Sequence, residues 1–520
     1  MGQPAEMARR RRAIAQKRKR ILRNGMVNQM DGHAVNIHRV ELESSPMKMW
    51  RALRLLRLPV VLMVAVGGLS SCSREPARPS RTGATLIITG GTVMTEDADR
   101  RILANAAVVI NDDVIVAIDT ADAVAAKYEA RETIDATGQI VMPGLINTHG
   151  HAAMVLYRGL GSDLALMDWL TKYIFPAEAK TVSAEFVKVG TRLAALEMIE
   201  SGTTTFTDMY YFESAVAEAT RESGLRAVLG ESVIKFPVAD AATPEIGLAN
   251  AEKFIETWKN DSLITPAVAP HAPYTLEPET LTAVRALANK YDAPMLIHLA
   301  ETQDEVKQIN DRFHLSPTMY LESLGVWTGK SVAAHAVWVN DEDMTILAKR
   351  GVGLAHNPES NMKLASGVAP VQQWIDHGIH AGLGTDGAAS NNDLDMFEAI
   401  RQTAFLHKLT SKDPRAMPAS LAIELATRRG AEALGMGRKI GSLEVGKQAD
   451  VITISLASAR QTPMFEPLGQ IAFVTHGDDV RNTVVAGKVL MRDRQVLTLK
   501  SADVIRDAQA MAVRVKEAIK

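Results

Sequence analysis

Cysteine is almost absent. A single one, Cys72, stands in 520 residues, which rules out an intramolecular disulfide and a thiolate-rich zinc site. Any metal bound by this chain must therefore sit on histidine and carboxylate. An excess of one charge is missing too. The 58 Lys and Arg against 60 Asp and Glu leave a formal net charge of −2, so no basic surplus is available for a phosphate backbone and nucleic acid is not an expected partner. A small neutral ligand fits better. There is no long apolar run either: the most apolar stretch, Leu58 to Leu69, is too short to span a bilayer comfortably as a permanent helix. What remains, 47% apolar and 23% charged, is ordinary globular material, enough for one large domain and a smaller one.

The short apolar stretch has a distinctive setting. In residues 47–72, MKMWRALRLLRLPVVLMVAVGGLSSC, the basic Lys48, Arg51, Arg54 and Arg57 precede it and small residues follow, the pattern of a secretory signal peptide. Leu69-Ser70-Ser71-Cys72 resembles the bacterial lipobox, whose cysteine is lipidated after cleavage. The expectation is export and a lipid anchor at Cys72 on the periplasmic side of the cell envelope, with no other membrane contact. If the motif is an accident, Cys72 is a core-type cysteine and the protein is cytoplasmic. Residues 1–46, with RRRR at Arg9 to Arg12 and KRKR at Lys17 to Arg20, read as an extension ahead of a true start at Met47 or Met49, as a disordered basic arm, or, least readily, as a nucleic-acid-binding tail. Residues 73–83, rich in Pro, Arg and Ser, read as a tether.

Beyond the tether, residues 84–144 and 436–500 are short β-branched runs broken by Gly, Asn and Asp, and predict one small β-sandwich composed from both termini. Residues 501–520 predict a C-terminal helix. Between them, residues 145–435 alternate short apolar strands, such as TTTFTDM, LITPAVAP, PMLIHLA and SVAAHAV, with amphipathic helical stretches. Repeated βα units over that length predict a (β/α)8 TIM-type barrel, with a doubly wound sheet as runner-up. Polar residues at the carboxyl ends of several strands decide for the barrel, because barrel enzymes place their chemistry there.

Six of those strand-end residues matter, and with them Glu301 just past one strand end. Strand alternation points His149 and His151 of NTHGH to one side, where two imidazoles can hold one divalent ion. His271 ends the fourth strand, and its competing reading is a loop histidine bonded to backbone. His298 in LIHLAET is followed by Glu301, a carboxylate that can sit beside a bound water without being a ligand. His335 in VAAHAV could equally be a core histidine, and Asp386 before Gly387 a turn former. Singly each is modest. One per strand end in a βα series is a metal site. Histidine and carboxylate without thiolate suit one zinc, or iron; a two-metal centre would need a bridging group where His271 stands.

Five stretches, NTHGHAAMVLYRGL, APHAPYT, HLAETQDEV, AHNPESNMKLASGVAPV and LGTDGAASNNDLDMF, together resemble the amidohydrolase superfamily, specifically the methylthioadenosine/S-adenosylhomocysteine deaminases and their chlorotriazine-hydrolase relatives. The resemblance runs from about Ala84 to Lys500. It implies that His149, His151, His298 and Asp386 bind the metal, that Glu301 shuttles a proton, that His335 hydrogen-bonds the attacking water, and that His271 touches substrate. It also raises Glu178, otherwise a solvated helix-start glutamate, to a binder of ribose hydroxyls. Trp169 is a stacking candidate for the base, with a buried structural role as the competing reading. One departure stands out: these deaminases carry a substrate-binding arginine after the third strand, near LGESVIKFP, where Gly230, Glu231 and Lys235 are found and no arginine.

The activity implied is hydrolytic deamination of an adenosine-type nucleoside (S-adenosylhomocysteine, 5′-methylthioadenosine or adenosine) by a metal-activated water, giving the inosine analogue and ammonia. A cytidine-deaminase type of zinc site is excluded by the single cysteine. The same site could serve guanine, a pterin, a chlorotriazine or a cyclic amide. A reading of another class, a metal-dependent binding lipoprotein without turnover, leaves Glu301 beside His298 without a purpose. A homo-oligomer is compatible with all of these.

Overall fold

The computed structural model describes residues 81–520. The expected extension, signal peptide, lipidated Cys72 and most of the tether lie outside the described residues. Among those described, no helix is long and apolar enough to cross a membrane.

Among the described residues, seventeen strands form two sheets. The first holds β1 (Thr82–Met94), β2 (Ile102–Asn111), β3 (Val114–Thr120), β4 (Tyr128–Asp135) and β5 (Gln139–Pro143) from one end of the chain. From the other end it holds β14 (Val451–Ser455), β15 (Val480–Val485), β16 (Lys488–Arg492) and β17 (Gln495–Val496). Its pairings are mostly antiparallel, and β14 joins the two halves by pairing with β5 from Val451 opposite Pro143 to Ser455 opposite Gln139. One apolar core, including Ile88, Val108, Ile134, Val141, Val451 and Val484, draws on both ends of the chain. Neither end can bury its apolar face alone, which is why the sheet is composite. Residues 456–479, expected in this sheet, instead carry the helix Pro467–Phe473, which packs on the barrel-side helix Ala419–Leu425. Its buried residues are Gln470, Ile471 and Ala472.

The second sheet is parallel and runs in sequence order: β6 (Leu145–Asn147), β7 (Thr203–Tyr210), β8 (Arg226–Val233), β9 (Ile264–Pro270), β10 (Met295–Leu299), β11 (Ser331–His335), β12 (Gly353–His356) and β13 (Ala381–Leu383). The Thr148 main chain donates to Leu383 O at 2.8 Å and brings β13 back to β6, closing the barrel. The strands are buried throughout, as expected for a parallel sheet covered by helices. Met209, Val228, Ala267, Ala269, Leu296 and Val332 form a separate apolar cluster, consistent with the packed barrel interior. Barrel and composite sheet are joined by a buried ion pair: Arg226 Nε and Nη2 reach the two Asp450 oxygens at 3.0 and 3.1 Å. The expected C-terminal helix forms as Ser501–Ala518 and packs on the helix Ala184–Glu200.

Candidate metal centre and active site

Barrel closure brings together residues that lie up to 237 positions apart, at the carboxyl ends of β6, β10, β11 and β13. His149 and His151 follow β6, and their Nε2 atoms lie 3.5 and 3.3 Å from Asp386 Oδ1 after β13. The His298 Nε2 at the end of β10 is 3.3 Å from that of His151. The approach of β6 to β13 is so close that a Cβ on Gly384 would come within 2.9 Å of the His149 main chain, so glycine is required there. Asn147 ties the same junction: its Nδ2 donates to Thr385 Oγ1 at 2.7 Å, and its Oδ1 accepts from the Thr385 main chain at 3.1 Å.

Orientation is set by the other ring nitrogens. His151 Nδ1 donates to Met209 O and His298 Nδ1 to His271 O, both at 2.7 Å, so each neutral ring keeps an unprotonated Nε2 turned to the common point. With both rings neutral the two Nε2 lone pairs stand 3.3 Å apart, a repulsion that either a metal ion or a proton on His151 relieves. The His149 Nε2 is buried and has no hydrogen-bond partner in the protein. Three imidazoles and one carboxylate arranged in this way fit a divalent metal ion. Burial pushes His149 down to about 4 and His298 well below the usual imidazole range. Burial also opposes the charged form of His151, but the Asp386 carboxylate outweighs it and lifts that ring to about 9. Asp386 itself is held well below the carboxylate range despite burial, by the two imidazoles beside it.

Glu301 and His335 flank this centre. Burial, reinforced by Asp386 and opposed by His335, raises the Glu301 carboxyl above its usual range. His335 Nε2 lies 3.9 Å from both Glu301 Oε2 and Asp386 Oδ2. Its Nδ1 lies 2.9 Å from Asn361 Oδ1 and 3.3 Å from Asn357 Nδ2. The backbone is left-handed at His335 (φ 73°) and at Asp386 (φ 61°), a conformation that costs energy in residues with a side chain and is held here by the surrounding bonds. Ser360 Oγ donates to Asp386 Oδ2 and the Gly387 main chain to Oδ1, each at 2.7 Å.

The same pocket is lined by His271, whose ring centroid is 4.8 Å from that of His298, and by Trp169 and Glu178. The Thr275 hydroxyl donates to Ala272 O, so His271 Nδ1 donates to Thr275 Oγ1 at 3.2 Å and leaves its Nε2 unprotonated. Burial pushes this ring down to about 3, and it stays neutral. Glu178 is buried, not solvated. Its Oε1 accepts from the Tyr210 hydroxyl at 2.7 Å, and burial lifts the carboxyl to about 7. The Trp169 indole donates to Leu160 O at 3.0 Å, and its ring lines the pocket.

Residues 140–490 match the amidohydrolase family. The chain belongs to that family. It is 45% identical to the 5-methylthioadenosine/S-adenosylhomocysteine deaminase of Syntrophobacter fumaroxidans over 433 residues, 83% of this chain and 99% of that one. It is 43% identical to the 5′-deoxyadenosine deaminase of Methanosarcina acetivorans over 431 residues, 82% of this chain and 98% of that one. Among solved structures, an adenosine deaminase from Xanthomonas campestris with bound zinc superposes with a TM-score of 0.82 at 35% identity, covering 84% of this chain and all of that one.

In this amidohydrolase the segment expected to carry a substrate-binding arginine is in part not a loop. Gly230 and Glu231 lie within β8, and Glu231 is buried with Oε2 accepting from the Glu213 main chain at 3.0 Å. Only Lys235 reaches the surface, on the rim of a neighbouring groove. Sequence reasoning missed Tyr210, Tyr274, Ser360 and Asn361. The last two stand in the quoted AHNPESNMKLASG stretch, which was a usable signal; the tyrosines follow ordinary strand and turn residues and carry none.

Proposed function

We propose that this protein is a zinc-dependent deaminase of adenosine-type nucleosides. The observation that carries the reading is Glu301, a buried carboxyl with a raised pKa, standing with His335 beside three imidazoles and Asp386. The substrate class follows the relatives' names, and zinc follows the all-histidine-and-carboxylate donor set and the zinc in the Xanthomonas structure. Held by His149, His151, His298 and Asp386, the metal would act as a Lewis acid and bring the pKa of water toward neutrality.

The protein's own groups do the rest. Glu301 takes a proton from the attacking water and delivers it to the ring nitrogen next to the amine-bearing carbon, making that carbon a better electrophile. His335, fixed by Asn361, faces the oxygen added to that carbon and stabilises the tetrahedral centre. A second proton delivered through Glu301 lets the amine leave as ammonia. His271 offers its unprotonated Nε2 to the base, and Glu178, held by Tyr210, accepts hydrogen bonds from the ribose hydroxyls. One water is consumed, and the products are ammonia and the inosine analogue.

An ammonia-release assay of the zinc-loaded protein against adenosine, 5′-deoxyadenosine, 5′-methylthioadenosine, guanine, pterins and chlorotriazines tests this. The adenosines are expected to turn over best; a preference for guanine or a triazine overturns the substrate class. We further propose that the protein acts outside the cytoplasm, anchored through lipidated Cys72, because the lipobox-like LSSC follows a basic and then an apolar segment. Labelled palmitate should enter the protein in a bacterial host, and Cys72→Ser should abolish the label; unlabelled, freely soluble wild type counts against the anchor.

A further inference from the structure

Past Glu178 the catalytic pocket meets a second, apolar groove of about 680 Å³. The two share Leu170, Phe175, Glu178, Tyr211 and Tyr274 as lining residues, so they adjoin with Glu178 at the neck. The outer wall is Phe236, Pro237 and Val238, and the Phe236 ring meets Phe175 edge to face with centroids 5.3 Å apart. That wall is tied down by main-chain bonds: Lys235 N donates to Thr275 O at 3.1 Å, and Val238 and Ala241 bond each other at 2.9 and 3.3 Å. Among the lining residues the one cation is Lys235, at the rim, with Nζ 3.7 Å from Glu277 Oε1.

We propose that this groove binds the 5′-substituent of the nucleoside and selects a neutral, apolar one, such as an alkylthio chain, over one that ends in a charged amino acid. The inference rests on the nucleoside-deaminase reading. A nucleoside with its amine at the metal centre and its ribose hydroxyls at Glu178 directs its 5′ carbon past the neck into the groove. Apolar walls reward each methylene placed there. A terminal carboxylate gains nothing comparable, because it must first pass Glu178, and the one cation among the lining residues is exposed and already engaged by Glu277. Lys235 is therefore a rim residue that does not read the substrate, while Phe236 and Val238 determine specificity.

The test is a substrate series on the zinc-loaded full chain: adenosine, 5′-deoxyadenosine, the 5′-methylthio, ethylthio, propylthio and butylthio analogues, and S-adenosylhomocysteine. The expected result is a kcat/KM that rises about three- to fourfold per methylene along the alkylthio series, with S-adenosylhomocysteine below the butylthio compound. Calorimetric Kd values of the matching alkylthio-inosine products should follow the same order. Phe236→Ser and Val238→Ser should each flatten both series. Lys235→Met should leave S-adenosylhomocysteine turnover within about twofold, since the residue is a partly screened surface cation. A flat series overturns the proposal, as does S-adenosylhomocysteine proving the best substrate and losing tenfold or more in Lys235→Met. Absence of ammonia from every adenosine overturns the nucleoside reading, and the groove assignment falls with it; turnover of adenosine with a flat series overturns the groove alone.

Discussion

The two ends of the pocket are built differently. At the metal end the polar side chains are fixed by hydrogen bonds to the surrounding protein: His151 and His298 to main-chain carbonyls, His335 to Asn361, and Asp386 to both Ser360 and Gly387. At the outer end Glu178 has one side-chain partner, Tyr210, and the space beyond is walled by apolar side chains. Chemistry needs ring planes and lone pairs held to a fraction of an ångström, and these hydrogen bonds supply that. Selectivity for an apolar substituent needs only shape and exclusion of water, so few polar contacts suffice. Changes at the metal end should therefore act on kcat, and changes at the outer end on KM.

The largest effect should come from the metal itself. Dialysis against a chelator is expected to abolish ammonia release, and added zinc to restore it; full activity in metal-free protein, verified by elemental analysis, would break the comparison at its strong end. Next, Glu301→Gln should retain the metal but lower kcat by about 10²–10⁴-fold with KM little changed, the scale of a lost general acid-base. A metal-loaded Glu301→Gln protein with wild-type kcat would remove Glu301 from the mechanism. At the outer end, Glu178→Gln should raise KM for ribonucleosides about tenfold and spare kcat, in keeping with the loss of a charge-assisted hydrogen bond; equal losses in kcat would place Glu178 in the chemistry instead. Smaller still is a pH effect. With burial holding Glu178 at about 7, the acceptor anion is present above that pH and protonated below it, so KM should fall a few-fold as pH rises through about 7. In Glu178→Gln that trend should vanish, and its persistence would assign it to another group. Tyr210→Phe should raise KM about threefold by loosening Glu178, with little change in kcat.

Much of the metal end is local in sequence. His149 and His151 are two apart on an extended segment, Glu301 follows His298 by three, and Asp386 closes a short apolar strand; each pattern is visible without a fold because strand periodicity is a property of a few residues. The outer end is not. Glu178 lies in a helix and reads as a solvated carboxylate; only the approach of β7 places Tyr210 on it and buries both. Likewise Glu231, adjacent in sequence to the expected arginine position, turns out to face the Glu213 main chain and not the substrate.

The sequence alone determined the kinds of element and their order: alternating βα units between two β-rich ends, histidines at strand termini, and no thiolate to compete with them. Those follow from period, propensity and composition. Tertiary structure alone decided that β13 returns to β6, that His335 and Asp386 take left-handed backbone to complete the site, and that Glu178 stands at the neck of an apolar groove. These depend on atoms far apart in the chain meeting across a closed barrel, and no local pattern encodes that distance.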